Sequence, residues 1–105
     1  MNEKIATYLG FAQKARKVAG GDSAAKAAIF QGASKLLLIA TDASERTAKE
    51  FQRLAEEFKI PVIVTGTKME FGLATGQAPK SIMIVKDAGL AKAIQEAHHG
   101  ERDFK

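Results

Sequence analysis

Two glycines followed by polar and basic residues, Gly20-Gly21-Asp22-Ser23 with Lys26 one turn further on, carry the clearest chemical signal in this chain. Two glycines allow a tight turn and a close approach to a partner, and Asp22 or Ser23 can cap a helix that starts there. The first amides of a helix lack partners within it and favour anions. The segment indicates a site for an RNA backbone, a nucleotide or a small anion, while an ordinary turn before a helix is an equally common reason for two glycines.

Residues suited to catalysis or metal binding are scarce in this sequence. His98 and His99 are neighbours, so their side chains point in different directions and form a poor metal pair. No cysteine is present, which leaves no thiolate or disulfide and fits a reducing compartment. Neither a G-x-S-x-G nucleophile elbow nor a G-x-x-x-x-G-K-[ST] phosphate loop occurs. We therefore expect no enzyme activity, no metal and no cofactor.

The chain has an excess of positive charge, with 16 Lys and Arg against 12 Asp and Glu in 105 residues. This length is that of one domain, and a basic excess is typical of proteins with a nucleic-acid partner. Lys14, Arg16 and Lys17 lie shortly before the double glycine, so we expect them to contact phosphates. Because charges interrupt the first 30 residues, we expect no signal peptide or membrane span, and a cytoplasmic protein.

Phe30 is the one phenylalanine that does not fall on an apolar stripe. On a helical wheel it lies with Ser23 and Lys26, roughly opposite the apolar face of the second predicted helix. An aromatic ring in that position can stack on a base or a ribose. The alternative is that Phe30 packs under a neighbouring loop or the first helix.

Helical and extended patterns alternate along the chain. Helices are predicted over residues 3–16, 22–31, from 42–45 to 58, 67–76 and 87–97, and strands over 17–20, 35–40, 61–64 and 81–85. Asp42 with Glu45, and Thr67 with Glu70, have the spacing of capping boxes. The alternation predicts an α/β fold with helices on both faces of a parallel or mixed sheet. Residues 1–97 would form a single domain, and residues 98–105 a polar, frayed tail.

From residue 21 to residue 42 the chain resembles the signature of the kink-turn-binding ribosomal protein superfamily. In that signature a glycine (here Gly21) opens a helix, a second glycine (Gly32) closes it, and a strand leads to an acidic cap (Asp42). Residues 62–64 and 70–76 resemble the later strand and the glycine-containing element of the superfamily. Residues 9–17 and 42–47 are similar to its bacterial YlxQ-type members, so the resemblance covers roughly residues 5 to 95.

The resemblance implies a three-layer α/β/α sandwich with a mixed sheet of about four strands, and RNA binding without catalysis. The implied partner is structured RNA with a sharply bent internal loop, from the ribosome or another source, and the ribosome itself is a candidate partner. No membrane partner is implied, and we expect a monomer. Three segments would supply the contacts: the turn and helix start at Gly20, Gly21, Asp22, Ser23 and Lys26; the loop at Asp42 and Ala43; and the loop at Gln77, Ala78, Pro79 and Lys80.

The position of the helix lysine depends on where the count begins. Counted back from Gly32, the lysine of the superfamily falls at Ala27, whereas counted forward from Gly20 it falls at Lys26. One residue rotates a helical side chain by about 100°, so two orientations stay open. Two other functions stay open as well: a small α/β module that binds a nucleotide or an anion, and a protein-interaction module in which the glycine-rich end and Phe30 dock a partner.

Overall fold

Nine helices and strands alternate along residues 1–103, the part of the chain that the computed structural model describes, with side chains described as far as residue 100. They are α1 (Glu3–Lys14), β1 (Val18–Gly20), α2 (Asp22–Phe30), β2 (Leu36–Ile39), α3 (Glu45–Phe58), β3 (Val62–Val64), α4 (Lys68–Thr75), β4 (Ile82–Val85) and α5 (Ala88–Asp103). Each element lies where the sequence pattern predicts it, within a few residues, apart from the end of α5.

The last helix is longer than its pattern predicts. α5 continues to Asp103, whereas the apolar spacing predicts an end near Ala97. No proline follows Ala97 to interrupt the backbone hydrogen bonds, so polar residues can extend the helix. The rest of the predicted tail, residues 104–105, lies outside the residues that the structure describes.

The four strands form one mixed sheet in the order β1-β4-β2-β3. β4 is antiparallel to β1 and to β2, while β2 and β3 run parallel. In this register Gly20 pairs with Met83, and Ile39 pairs with Ile82 on one side and Val64 on the other. The predicted α/β fold with a mixed sheet of four strands is confirmed.

Helices cover both faces of the sheet, which gives three layers. α1, α4 and α5 pack on one face, with Ile5 and Phe71 in their core, and α2 and α3 pack on the other, with Ile29 and Phe51. All four residues of β2 (Leu36–Ile39) are buried, alternately in the two layers. Burial on both faces explains why this strand is a continuous apolar run.

The strand directions bring four connecting segments to one end of the sheet, which we call the loop end. β1, β2 and β3 finish there and β4 begins there, so the segments are residues 20–23, 40–44, 65–67 and 76–81. The opposite end holds the starts of β1, β2 and β3 and the finish of β4. The topology therefore places all three loops that the resemblance implicates on one side of the molecule.

Candidate nucleic-acid interface

The turn between β1 and α2 depends on the backbone of Gly21. Its φ of 91° and ψ of 163° lie in a region that is essentially restricted to glycine. Gly21 is also the residue before the first helical residue, and α2 has no side-chain cap. The prediction that Asp22 or Ser23 caps α2 is therefore wrong: both residues lie inside the first turn, where a side chain is past the capping position.

The missing cap leaves the first amides of α2 free. The N–H of Gly21 donates to the carbonyl of Ile82 at 3.0 Å, and the N–H of Ala25 donates to the carbonyl of Gly21 at 2.9 Å. The amides of Asp22, Ser23 and Ala24, between these two bonds, donate to no atom of the residues that the structure describes. Since these three residues are exposed, their amides are available to a ligand.

Lys80 adds a positive charge to the same turn. A Cβ placed on Gly21 would lie 3.8 Å from Nζ and 3.7 Å from Cδ of Lys80. Within residues 1–100 no carboxylate forms an ion pair with this ammonium group. An ammonium beside the positive end of a helix is unfavourable by itself and favourable once an anion lies between them. The turn and Lys80 therefore present hydrogen-bond donors and a positive charge that suit an anion such as a phosphate, with the carboxylate of Asp22 in the same first turn.

Backbone hydrogen bonds hold the loops of this end side by side. The N–H of Ala40 donates to Ser81 at 2.9 Å, next to the bond from Gly21 to Ile82. Thr41 donates to the carbonyl of Gly66 through both its N–H and its hydroxyl, each at 2.7 Å. The loops therefore follow one another across the loop end in the order of the strands.

Asp42 fastens two of these loops instead of capping α3. Its Oδ1 accepts from the N–H of Lys68 at 2.9 Å, in the first turn of α4. The cap of α3 is Ser44, whose hydroxyl accepts from the N–H of Thr47 at 3.1 Å, so the predicted capping role of Asp42 is wrong. α3 begins at Glu45, which leaves Asp42 two residues too early to cap it. Ala43 is partly buried against both layers of the core.

The loop before β4 lies against α4 at Gly72, which the sequence pattern shows only as part of a glycine-containing motif. A Cβ on Gly72 would lie 2.7 Å from the carbonyl oxygen of Gln77 and 2.8 Å from that of Ala78. The side chain of Gln77 donates to Gln13 at 3.3 Å, and the N–H of Lys80 donates to the carbonyl of Lys68 at 3.1 Å. Because Gly72 has no side chain, the loop that carries Lys80 can lie directly against α4.

Lys26 lies one turn inside α2 and is engaged with α3. Its Nζ is 2.8 Å from Oε2 of Glu50 and 5.9 Å from the ring centroid of Phe51. The hydrogen bond from Lys26 lowers the pKa of the Glu50 carboxyl. The side chain of Lys26 is 36% exposed, so it is accessible, but its ammonium reaches a ligand at the turn only by leaving Glu50.

Four predicted site residues are not gathered at the turn. Phe30 is the last residue of α2, eight residues along the helix from Asp22, and its ring packs on Phe58 at a centroid distance of 5.6 Å. Its ring partner thus belongs to α3 and not to the first helix or a loop, and Phe30 is 61% exposed. Arg16 and Lys17 precede β1 and so lie at the opposite end of the sheet, and Lys14 is exposed in the last turn of α1.

A strand explains why neighbours in the sequence are apart in space. From Lys17 to Gly21 the chain takes four steps through the extended residues of β1, at about 3.3 Å each, or about 13 Å in total. Basic residues on the two sides of β1 therefore cannot converge on one phosphate at the turn.

Residues 1–103 show no arrangement that would hold a metal or cross a membrane. They contain no group of three His, Asp or Glu side chains arranged to hold a metal. None of their helices is long and apolar enough to cross a membrane.

Known proteins share this sequence pattern. Residues 3–95 match the model of the ribosomal protein L7Ae/L30e/S12e/Gadd45 family. RNA-binding protein YlxQ of Bacillus subtilis (strain 168) is 30% identical over 86 residues, which cover 82% of this chain and 86% of that protein. RNA-binding protein YlxQ of Enterococcus faecium is 26% identical over 98 residues, which cover 93% of this chain and 94% of that protein.

Solved structures share the fold. A protein of unknown function from Bacillus halodurans C superposes with a TM-score of 0.85 and 28% identity, covering 90% of this chain and 96% of that one. The Giardia lamblia 15.5kD RNA binding protein superposes with a TM-score of 0.77 and 17% identity, covering 94% and 92% of the two chains. The arrangement of helices and strands is therefore common to proteins with little sequence identity.

Proposed function

Because this chain belongs to the ribosomal protein L7Ae/L30e/S12e/Gadd45 family, we propose that it binds structured RNA at the loop end of its sheet and does not act as an enzyme. Membership confirms the resemblance carried by residues 21–42. The relatives named RNA-binding protein YlxQ support RNA as the ligand. The observation that carries the proposal is the anion site made by the free amides of α2 and the ammonium of Lys80.

A phosphate of the RNA would occupy this anion site. It would accept hydrogen bonds from the amides of Asp22, Ser23 and Ala24 and lie beside Lys80. Because Gly21 has no side chain, the backbone of the RNA can approach the turn closely. The phosphate would lie beside the ammonium and at the positive end of α2, both of which favour an anion.

Base contacts would come from the polar side chains around the turn. The carboxylate of Asp22 accepts hydrogen bonds only, and the hydroxyl of Ser23 both donates and accepts, so each can meet a base amino group. Base edges in the major groove of a regular RNA helix are out of reach, whereas a bent internal loop exposes them. Kink-turn RNA, from the ribosome or another source, is therefore the proposed target.

The protein would hold the RNA in its bent form by binding that form more tightly than the straight one. A ligand shifts a conformational equilibrium only by its difference in affinity for the two states. Asp42, Ala43, Gln77 and Ala78 would frame the bend, since hydrogen bonds fix their loops beside the turn. We propose that residues 1–97 act in this way as one domain, as a monomer in the cytoplasm.

Titration of a labelled kink-turn duplex against a fully paired duplex of equal length, at several salt concentrations, tests the proposal. We expect tighter binding to the bent RNA. Lys80→Gln should weaken binding and reduce the salt slope by about 0.7 to 0.9, because one phosphate contact is lost. Lys92→Gln, which removes an exposed charge on α5, is the control and should leave the slope unchanged.

Three results would contradict the proposal in different ways. Equal affinity for bent and straight duplexes would remove the kink-turn target. A salt-independent affinity would remove the phosphate contact. A mononucleotide that raises the melting temperature and displaces the RNA would instead identify the anion site as that of a small-molecule module.

A further inference from the structure

Three lysines lie in a line at the opposite end of the sheet, outside the proposed site. The carbonyl of Lys17 accepts from the N–H of Lys86 at 2.7 Å, and the N–H of Lys35 donates to Val85 at 2.9 Å. Since β4 lies between β1 and β2, Lys86 is placed between the other two. Lys17 and Lys86 are opposite each other in the register of β1 and β4, so they are about 5 Å apart and face the same side. Lys35 lies beside Val85, the residue before Lys86. We call Lys17, Lys86 and Lys35 the lysine row.

The lysine row brings like charges together without an ion pair in the described structure. Like charges directly opposite each other on neighbouring strands are destabilising. None of the three ammonium groups forms an ion pair within residues 1–100. The nearest carboxylate in the sequence, Asp87, is engaged by the N–H of Leu90 at 2.8 Å in the first turn of α5. An external anion is the partner that this arrangement lacks.

Two further cations at this end occupy strained backbone positions. Arg16 follows α1 with a φ of 59°, and Lys59 follows α3 with a φ of 55°. A residue in this left-handed conformation after a helix is most often glycine, because a side chain there is strained. The chain therefore places basic residues beside the lysine row at positions where glycine would favour folding.

We propose that the lysine row is a second RNA-binding surface, which contacts the phosphates of an A-form RNA helix other than the one held at the loop end. The inference rests on the proposed function, since it takes RNA as the ligand. The row consists of cations, which suits contacts to the phosphate backbone, and the exposed rings at this end, Phe30 and Phe58, pack on each other. The two ends face opposite ways across a molecule of 32 × 29 × 25 Å, so the protein would join two RNA helices.

A fully paired RNA duplex without a bend is the probe that isolates this surface. Its affinity is measured by fluorescence anisotropy between about 50 and 200 mM salt. The variant Lys17→Gln/Lys35→Gln removes the two exposed members of the row. Its matched control, Lys4→Gln/Lys92→Gln, removes two exposed lysines from the layer of α1, α4 and α5 and has the same net charge.

We expect the salt slope for the plain duplex to fall by about 1.8 in the row variant, at about 0.9 per lost phosphate contact, and to stay unchanged in the control variant. The melting temperature of the row variant should equal or exceed that of the wild type, because a repulsion is removed. Affinity for a short kink-turn duplex should be unchanged in the row variant. That last measurement shows whether the loop end still binds bent RNA, so a failure of the row proposal can be told apart from a failure of the proposed function.

Four results would overturn the inference. The first is no binding of the plain duplex by the wild type at low salt, and the second is an equal loss in the row and control variants. The third is a lower melting temperature for the row variant, which would mean that the lysines stabilise the carbonyl ends of α2 and α3. The fourth is stronger binding of polyglutamate than of the duplex, which would assign the row to an acidic protein surface.

Discussion

Gly21 is the residue on which the anion site depends most directly. Its backbone conformation, φ 91° and ψ 163°, is one that a side chain strains by about 1 to 3 kcal/mol. We expect Gly21→Ala to lower the free energy of unfolding by about that amount and to weaken binding of kink-turn RNA, since the free amides follow this residue. Urea unfolding and an RNA titration measure the two effects.

Gly32→Ala is the matched control for this change. Gly32 also has a positive φ, 74°, and a Cβ there meets nothing within 4 Å, but the residue lies past the other end of α2. The strain should again lower stability, by about 1 to 2 kcal/mol, while RNA affinity stays as in the wild type. Equal losses of affinity in both variants would show that Gly21 acts through stability alone.

The ion pair between Lys26 and Glu50 makes a second prediction at the scale of single residues. If Lys26 contacts a phosphate, Glu50 competes with the RNA for its ammonium. Glu50→Gln should therefore tighten RNA binding, and the gain should disappear in Glu50→Gln/Lys26→Ala. Titration of the same kink-turn duplex measures both variants. Unchanged affinity in Glu50→Gln would mean that Lys26 is a structural residue between α2 and α3.

At the scale of elements, α4 determines where the loop of Lys80 lies. The two glycines Gly10 and Gly72 both lie inside helices, yet only at Gly72 would an added Cβ come closer than 3 Å to backbone atoms. Gly72→Ala should lower stability by about 1 to 3 kcal/mol through overpacking and weaken RNA binding because the loop shifts. A melting curve and an RNA titration measure both effects.

Gly10→Ala is the corresponding control in α1. Its Cβ would lie 3.6 Å from the carbonyl of Ala74, an ordinary contact, and alanine is the better helix former by about 0.5 to 1 kcal/mol. We expect equal or higher stability and unchanged RNA affinity. Wild-type binding by Gly72→Ala would contradict the role given to α4.

The elements themselves could be predicted because their patterns are strong. β2 and β4 are continuous apolar runs that are buried on both faces, and Thr67 with Glu70 forms the predicted capping box. Helix starts were predicted less well. Asp22 and Asp42 have the right residue type for caps, but Gly21 and Ser44 occupy the capping positions, and a residue type alone does not fix which residue comes last before a helix.

At the scale of the whole molecule, the strand directions determine which of the predicted site residues lie close together. The sequence indicated the turn at Gly20 and Gly21 and the loop at Lys80, and the antiparallel direction of β4 brings the two together. Arg16 and Lys17 are close to the turn in sequence, but β1 separates them from it and runs from one end of the sheet to the other. Spacing along the chain could not show this, because it depends on the short strand being extended.

Positive charge is therefore divided between two ends of the sheet. The loop end carries Lys80 beside the free amides, and the opposite end carries the lysine row with Arg16 and Lys59. Net charge alone predicts a nucleic-acid partner but not the side on which it binds. The division leads to the expectation that a bent RNA and a second RNA helix occupy different faces of one protein.

Amide chemical shifts on titration with a kink-turn duplex test the central claim most directly, because they report on the unaltered protein. The account predicts that the largest changes fall on Asp22, Ser23 and Ala24, with smaller ones around Lys80, while Gly32 at the far end of α2 stays near its free position. Largest changes elsewhere, with the three amides of the first turn unmoved at saturating RNA, would contradict the account.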